Sequence, residues 1–199
     1  MAIKFQYNKT SLNDLDKKLK ARTRALPTIK SKESALRLEV KRAKADAEAK
    51  DRELDGKLRQ MDGFARLFTE FRPDLIKVKD VRLEYYKIAG VKIPRLAGID
   101  FEEKSYPLFG APLWYADGLD LLKDLVRIGI ESEIFSCKMQ LLDTARKKTT
   151  QKVNLYEKVQ IPGYNEAIRK IRRFIEDEEN LAKSAQKIVK NRHAQEEDL

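Results

Sequence analysis

Apolar residues recur at alternating intervals of three and four through the first third of the chain, and this spacing constrains the fold more than any other feature. The positions are Leu12, Leu15, Leu19, Arg22, Leu26, Ile29, Glu33, Leu36, Val40, Ala43, Ala47, Lys50, Leu54, Lys57, Met61, Phe64, Phe68 and Phe71. A repeat of 3.5 residues places one narrow apolar seam on a helix and favours left-handed supercoiling with a second helix. Such a helix would be about 90 Å long at 1.5 Å per residue. The sequence therefore predicts an elongated coiled coil.

The first helix should begin between residues 8 and 11, with Thr10 or Ser11 as its N-cap and Asp14 as the capping-box partner of Ser11. It should continue to about Phe71, just before Pro73. Pro27 lies inside this helix and removes one backbone hydrogen bond, so we expect a kink or a short break there.

The middle of the chain has a different composition, because half of the prolines and half of the glycines lie between residues 90 and 118. Val81, Leu83 and Tyr85 alternate with other side chains in a strand-like pattern. A second extended run, residues 99–106, follows a predicted turn at residues 96–98. This segment should form a β-hairpin and a packed loop.

A second long helix should begin between residues 115 and 119 and end near Arg192. Its predicted seam comprises Ile134, Cys137, Leu141, Ala145, Leu155 and Val159, and then Ile161, Tyr164, Ile168, Ile171, Ile175, Ala182, Ala185 and Val189. Pro162 and Gly163 interrupt this helix and should kink it.

Two long helices that flank a compact middle segment should fold back on each other. We predict a mainly α protein: a long antiparallel two-helix left-handed coiled coil with a small middle segment that contains a β-hairpin. The expected segments are residues 8–71 (first coiled-coil helix), 72–115 (hairpin and loop), 116–192 (second coiled-coil helix) and 193–199 (frayed acidic tail).

The net charge of +10 is concentrated in the two predicted helical arms. If Asn8 lies level with Arg192, basic residues from both helices share one level of the coiled coil and form a basic collar. Its proposed partner-binding residues are Lys17, Lys18, Lys20, Arg24, Lys30, Lys32, Arg169, Lys170, Arg172 and Arg173. Such a surface favours an acidic or phosphate-bearing partner, although lysine-rich flanks of coiled coils also serve solubility alone.

The sequence offers no candidate for catalysis. It contains no phosphate-binding glycine loop, a single histidine (His193) near the C-terminus, and a single cysteine (Cys137) at a seam position. The acidic pairs at residues 102–103 and 131–133 are interpreted as solvated surface. We therefore expect a noncatalytic protein without cofactor or metal. No apolar run approaches the length of a membrane span, and no signal-peptide core is present, so we expect the chain to fold in the cytosol.

Aromatic residues around Trp114 form the remaining cluster of interest. Tyr85, Tyr86, Trp114 and Tyr115 could stack nucleic-acid bases, but the net charge of this middle region is slightly negative, which favours a small core or a protein-docking patch.

Three parts of the chain resemble the D subunit of V-type and archaeal-type rotary ATPases. The most specific stretch is TTQKVNLYEKVQIP at residues 149–162, followed by Ile168 and Ile171. LPTIKSKESALRLE at residues 26–39 resembles the first helix of that family. KIAGVKIPRL at residues 87–96 and LFGAPLWYADGLDLLKDLV at residues 108–126 resemble its central segment. The stretches occur in the family's order and span nearly the whole chain.

The resemblance implies a central-stalk (rotor) subunit that transmits torque between a hexameric catalytic head and a membrane ion-translocating ring. The implied partners are the A and B subunits of the head, the F subunit, and the funnel-shaped subunit that caps the ring, at the cytoplasmic face of the membrane and without membrane insertion or nucleic acid. The candidates for binding the F subunit or other parts of the lower stalk are Phe64, Phe68, Phe71, Tyr85, Tyr86, Trp114, Ile134 and Leu141.

Two alternatives stay open on the sequence. A prefoldin-like chaperone also joins two helices through β-hairpins, although such subunits are shorter. A basic coiled coil that binds nucleic acid is favoured by net charge alone, and it would bind in a steeply salt-dependent manner.

Overall fold

The computed structural model describes residues 3–63, 65–107 and 111–197. In chain order the elements are α1 (Lys9–Asp62), α2 (Ala65–Phe68), a 3₁₀ turn (Pro73–Leu75), β1 (Ile76–Ile88), β2 (Val91–Glu103), α3 (Tyr115–Asn154), a π-helical stretch (Leu155–Gln160) and α4 (Ile161–Glu197). The predicted fold class, mainly α with long helices around a small antiparallel β-hairpin, is confirmed. The chain forms two compact units: Met1–Ser31 with Thr149–Leu199, and Lys32–Lys148.

The predicted seam of α1 is confirmed over most of its length. Every predicted position from residue 12 to residue 54 is buried or half-buried, and Leu15, Leu36, Ala43 and Ala47 are almost fully buried. Burial at a 3.5-residue spacing is the property that pairs one helix with another. Lys57 is exposed, and Phe64 lies outside the described residues.

Asn8 caps α1, so the prediction of Thr10 or Ser11 as N-cap is wrong. The backbone N–H of Ser11 donates a hydrogen bond to Asn8 Oδ1 at 2.7 Å. Ser11 Oγ in turn accepts the backbone N–H of Gln6 at 3.3 Å. Asparagine is as good an N-cap as serine, and here its carbonyl satisfies a helix N–H that has no intrahelical partner.

Pro27 does not break α1, which runs as one helix from Lys9 to Asp62. The short break expected there is therefore absent, and a bend at Pro27 stays a prediction.

The hairpin turn lies at Ala89 and Gly90, so the predicted turn at residues 96–98 is wrong. Both turn residues have positive φ, +48° and +79°, which matches the tight turns that suit twisted strands. The strands pair antiparallel from Ile76 opposite Glu103 to Ile88 opposite Val91. Gly98 lies within β2, where the guanidinium of Arg82 lies 2.9 Å from the place of a Cβ, so this glycine makes room for a cross-strand side chain.

The buried face of α3 is offset from the predicted seam. In α3, Leu141 is 39% exposed, whereas Leu142 is fully buried. Leu155 and Val159, in the π-helical stretch that follows, are also about 40% exposed. Leu142 packs with Leu36 of α1 and with Ile93 of the hairpin. The heptad pattern assumed α1 alone as the partner, but the hairpin is a second partner, and it selects Leu142 over Leu141 for burial. The other predicted seam positions of α3, Ile134, Cys137 and Ala145, are half-buried.

The helix changes its hydrogen bonding just before Pro162. The N–H of Ile161 donates to the carbonyl oxygen of Tyr156, five residues earlier, which is the π-helical pattern. Pro162 lacks an N–H, and its ring displaces the carbonyl of the residue four positions before it. The wider π turn accommodates that carbonyl, and helical structure continues into α4. A kink at Pro162 and Gly163 stays a prediction.

The first unit pairs α1 with α4 in an antiparallel register that differs from the predicted one. Lys9 Nζ lies 3.5 Å from Glu179 Oε1, and Arg172 pairs with Asp16 at 3.8 Å. The expectation that Asn8 lies level with Arg192 is therefore wrong. A repeating apolar seam allows several registers with similar burial, and the sequence pattern does not distinguish among them.

Two cores lie in the second unit. Leu36, Ala43, Ile93 and Leu142 form one where the hairpin tip meets α1 and α3. Leu75, Tyr115 and Leu119 form the other at the hairpin base. The first unit has its own core, which consists of Leu15, Tyr164, Ala167, Ile168 and Ile171.

Candidate partner-binding surfaces

The ten residues of the predicted basic collar are all exposed. Three have a carboxylate within 4 Å: Lys30 binds Glu157 at 2.7 Å, Lys170 binds Glu166 at 2.9 Å, and Arg172 binds Asp16. The hydrogen bond from Lys170 holds the pKa of Glu166 below its ordinary value near 4.5. For the other seven, no described carboxylate lies that close: Lys17, Lys18, Lys20, Arg24, Lys32, Arg169 and Arg173. Much of the positive charge of the collar therefore has no described carboxylate within 4 Å.

The two halves of the collar overlap along the first unit. Arg172 lies opposite Asp16, so the basic run of α1 that begins at Lys17 starts level with the basic cluster of α4. From there the run extends towards the π-helical stretch, where Lys30 lies opposite Glu157. Lys32 belongs to the second unit, near the hairpin turn at Gly90.

Sequence reasoning missed the C-terminal extension, which we define as residues 180–192 of α4, beyond the level at which α1 begins. Every residue of this extension is exposed. Leu181 is 72% exposed, and Ile188 and Val189 are each more than half exposed. Because positions 181, 188 and 189 share one face of a helix, they form an apolar stripe with no described partner. The predicted seam included Val189, because the predicted register placed the start of α1 level with Arg192. In the structure α1 begins near Glu179 and leaves Val189 uncovered.

The aromatic candidates near the end of α1 belong to a packed group. Phe68, Phe71 and Trp114 pack against one another with ring centroids 5.5–6.0 Å apart. Trp114 and Phe71 also contact Tyr115, whose hydroxyl donates to the carbonyl oxygen of Glu70 at 2.8 Å. This group is therefore part of the core at the hairpin base. Phe64 lies outside the described residues.

Tyr85, Tyr86 and Ile134 belong to a groove between the hairpin and the helices of the second unit. Its volume is about 620 Å³, and its lining residues are Lys50, Glu84, Tyr85, Tyr86, Pro94, Arg95, Leu96, Glu131, Ile134, Phe135 and Lys138. Tyr85 is 56% exposed. Leu141 does not line the groove but is exposed on α3. Sequence reasoning missed Phe135 and Arg95, because only the packing of the hairpin tip brings β2 over α3.

Polar contacts between α1 and α3 lie next to this groove. Lys50 donates to Glu131 at 2.9 Å and to Glu53 at 3.0 Å. The hydrogen bond to Glu131, and then the one to Glu53, raise the pKa of Lys50 above its ordinary value near 10.5. The buried hydroxyl of Ser132 donates to Asp51, and Lys138 pairs with Asp46 at 3.4 Å. These pairs fix which residues of the two helices lie opposite each other.

None of the described helices combines the length and apolar character that crossing a membrane requires. Within the same described ranges, no cluster of three or more histidine, cysteine or acidic side chains is arranged to hold a metal ion.

In the first unit α1 pairs antiparallel with α4, and in the second unit it pairs antiparallel with α3. Charged and apolar side chains remain exposed in both units. This arrangement defines a helical coiled-coil protein. Residues 11–191 match the family model described as the D subunit of ATP synthase. The chain belongs to this ATP synthase D-subunit family and is therefore a subunit of a rotary ATPase.

Curated relatives carry the same name. The D subunit of the V-type ATP synthase of Borreliella burgdorferi is 32% identical over 188 residues, which cover 92% of this chain and 93% of the relative. The V-type ATP synthase D subunit of Chlamydia pneumoniae is 28% identical over 182 residues, which cover 89% and 87% of the two chains. Its counterpart in Chlamydia caviae is 27% identical over 76% of each chain.

Proposed function

We propose that this chain is the noncatalytic central-stalk (rotor) subunit of a V-type ATPase or ATP synthase and transmits torque between the catalytic head and the membrane ring. The observation that carries the proposal is the buried seam of α1 in a chain that matches the D-subunit family throughout. Two helices joined by a packed seam resist twisting better than one helix, because rotation of either strains their shared contacts. The match over residues 11–191 supports this function over a prefoldin-like chaperone or a nucleic-acid-binding coiled coil.

The first unit is the proposed contact with the A and B subunits of the head. Its exposed basic side chains, such as Lys17 and Arg173, have no described ion pair and offer diffuse attraction to an acidic surface. The apolar stripe of the C-terminal extension offers surface that α1 leaves uncovered. Diffuse charge suits a rotating contact because it attracts without fixing one orientation.

Reversal of charge in the basic collar tests the head contact. We choose Arg169→Glu with Arg173→Glu, because neither arginine has a described ion pair whose loss would disturb the fold. We expect the double variant to lower the affinity for co-expressed A and B subunits at least ~10-fold, measured by size-exclusion chromatography and by ATP turnover.

The matched control reverses Lys77 and Lys79, two exposed charges on β1, and should leave assembly with the head unchanged. Equal assembly of the Arg169 and Arg173 variant and the unsubstituted chain would reject the proposed contact.

The groove of the second unit is the proposed site for the F subunit. Its aromatic and aliphatic side chains, such as Tyr85, Tyr86 and Ile134, resemble the anchors that dominate protein interfaces. The lower part of the chain is also proposed to bind the funnel-shaped subunit that caps the membrane ring, at the cytoplasmic face of the membrane.

Truncation in the groove tests the contact with the F subunit. Tyr85→Ala with Ile134→Ala should weaken its binding by about 2 kcal/mol or more, measured by isothermal titration calorimetry. Leu113→Ala is the control, because Leu113 is fully exposed and lies outside the groove. If the groove variant and the control both bind the F subunit with the same affinity as the unsubstituted chain, the groove is not its site.

A further inference from the structure

The residues before α1 lie along α4, with Ile3 and Phe5 half-buried and the residues between and after them exposed. We call residues 3–7 the N-terminal strap. Ile3 contacts Gly163, and the ring of Tyr7 packs against that of Phe174 at a tilt of 48°, with ring centroids 4.9 Å apart. The strap therefore runs in the same direction as α4, and Ile3 and Phe5 pack against the core of the first unit.

A capped turn joins the strap to α1. The N–H of Gln6 donates to Ser11 Oγ, while the N–H of Ser11 donates to Asn8 Oδ1. The N–H of Asn8 also donates to the carbonyl oxygen of Gln6 at 3.0 Å. These reciprocal bonds couple the position of the strap to the position of the helix that follows it.

Gly163 forms a notch that Ile3 fills. A Cβ at this position would lie 3.0 Å from Ile3 Cδ1 and 3.6 Å from Ile3 Cγ1. Glycine is among the least favourable residues in a helix interior. Its presence inside α4 is explained by the side chain that occupies the space of the missing methyl group.

We propose that the strap is a register lock, in which Ile3 in the Gly163 notch fixes the axial position of α1 against α4. The seam beneath it is repetitive, with Leu12, Leu15 and Leu19 facing a series of aliphatic positions on α4. A slip by one helical turn, about 5.4 Å, would again set apolar side chains of α1 against apolar side chains of α4. Gly163 is the one glycine of α4, so a slip of α1 would unseat Ile3, and it would also break the contacts of Arg22 with Gln160 and of Lys30 with Glu157. This proposal stands whether or not the rotor function is correct.

The test compares two glycine-to-alanine substitutions in the full chain. Gly163→Ala places a methyl group against Ile3, whereas Gly129→Ala in α3 meets no atom within 4 Å. Both remove a helix-destabilising glycine. Gly129→Ala should raise the Tm, and Gly163→Ala should raise it less or lower it. In an Ile3→Ala background, the two substitutions should raise the Tm equally.

Register is measured separately by pulsed electron paramagnetic resonance. Spin labels are attached to cysteines introduced at two exposed positions, Ala21→Cys in α1 and Ser184→Cys in α4, and Cys137→Ser removes the native thiol. With the strap unchanged, the distance between the two labels should have a single value. Gly163→Ala, and independently Ile3→Ala, should broaden it or add a population displaced by about 5 Å.

Gly129→Ala should leave the distance distribution unchanged. A single unshifted distance in both the Gly163→Ala and the Ile3→Ala variants would overturn the proposal, as would equal Tm changes for the two glycine substitutions in the presence of Ile3.

Discussion

Three glycines in the described chain lie where another side chain occupies the space that a Cβ would need. Arg82 fills it at Gly98, Trp114 at Gly118, and Ile3 at Gly163. At Gly118 the indole carbons of Trp114 lie 2.9 Å from the ideal Cβ position. At each of these glycines a nearby side chain, and not a turn, takes up the space of a Cβ, and two of the three lie inside helices.

Gly118→Ala should destabilise the protein by about 1–3 kcal/mol, because the added methyl group forces Trp114 out of its packed position. Trp114 is the only tryptophan, so its fluorescence reports the displacement directly. Urea unfolding together with the emission maximum checks the prediction.

Gly56→Ala is the control, since its Cβ would meet nothing within 4 Å. This substitution should stabilise α1 by up to about 1 kcal/mol. A similar stabilisation by Gly118→Ala, with unchanged emission, would contradict the assigned contact.

At the scale of elements, the hairpin turn depends on backbone conformation. Gly90 has φ +79°, where a side chain is strained. Gly90→Ala should therefore cost about 1–2 kcal/mol, seen as a lower urea midpoint and faster amide exchange near the hairpin tip.

Ala89→Gly is the matched substitution in the same turn, because Ala89 also has positive φ. It should be neutral or stabilising by up to about 1 kcal/mol. If Gly90→Ala were as stable as the unsubstituted chain, the turn would not require this conformation.

The π-helical stretch is the other element shaped by backbone chemistry. Pro162 cannot donate a hydrogen bond, and the five-residue bond from Ile161 to Tyr156 shows how the helix absorbs the defect. The side chains of this stretch still bind α1, since Glu157 accepts a hydrogen bond from Lys30 and Gln160 accepts one from Arg22.

At the scale of the whole molecule, contacts between residues far apart in the sequence decide how the helices pair. Lys50 of α1 and Glu131 of α3 form such a contact, and Glu131 is the main cause of the raised pKa of Lys50. A raised lysine pKa means that the stabilisation is fully present below the ordinary value near 10.5 and is lost as the pH rises through the folded-state value.

Lys50→Met should therefore lower stability by about 1 kcal/mol at neutral pH. Its difference from the unsubstituted chain should shrink above pH 10.5. Chemical denaturation across this pH range measures both effects. Lys41→Met, at an exposed position of α1, should show neither. A pH-independent difference would show that the lost contact is not electrostatic.

The α1 seam was predictable because a 3.5-residue repeat depends on local helical geometry alone, and each predicted position from Leu12 to Leu54 is buried or half-buried as expected. The α3 seam was not predictable in the same detail. Leu141 and Leu142 have the same chemistry, and only the hairpin tip decides that Leu142 is the buried one.

The candidate surfaces show the same division. The exposure of the ten basic side chains follows from their positions beside an apolar seam. The groove that collects Tyr85, Tyr86 and Ile134 exists only because the hairpin folds onto α1 and α3.

By itself, the sequence determined the helical class, the seam of α1 and the family resemblance, because these depend on local periodicity and on short motifs. The tertiary structure decided the register that sets Lys9 against Glu179, the uncovered end of α4 and the seating of Ile3 at Gly163. A repeating apolar pattern is nearly degenerate in axial position, so single contacts between distant residues are needed to select one arrangement.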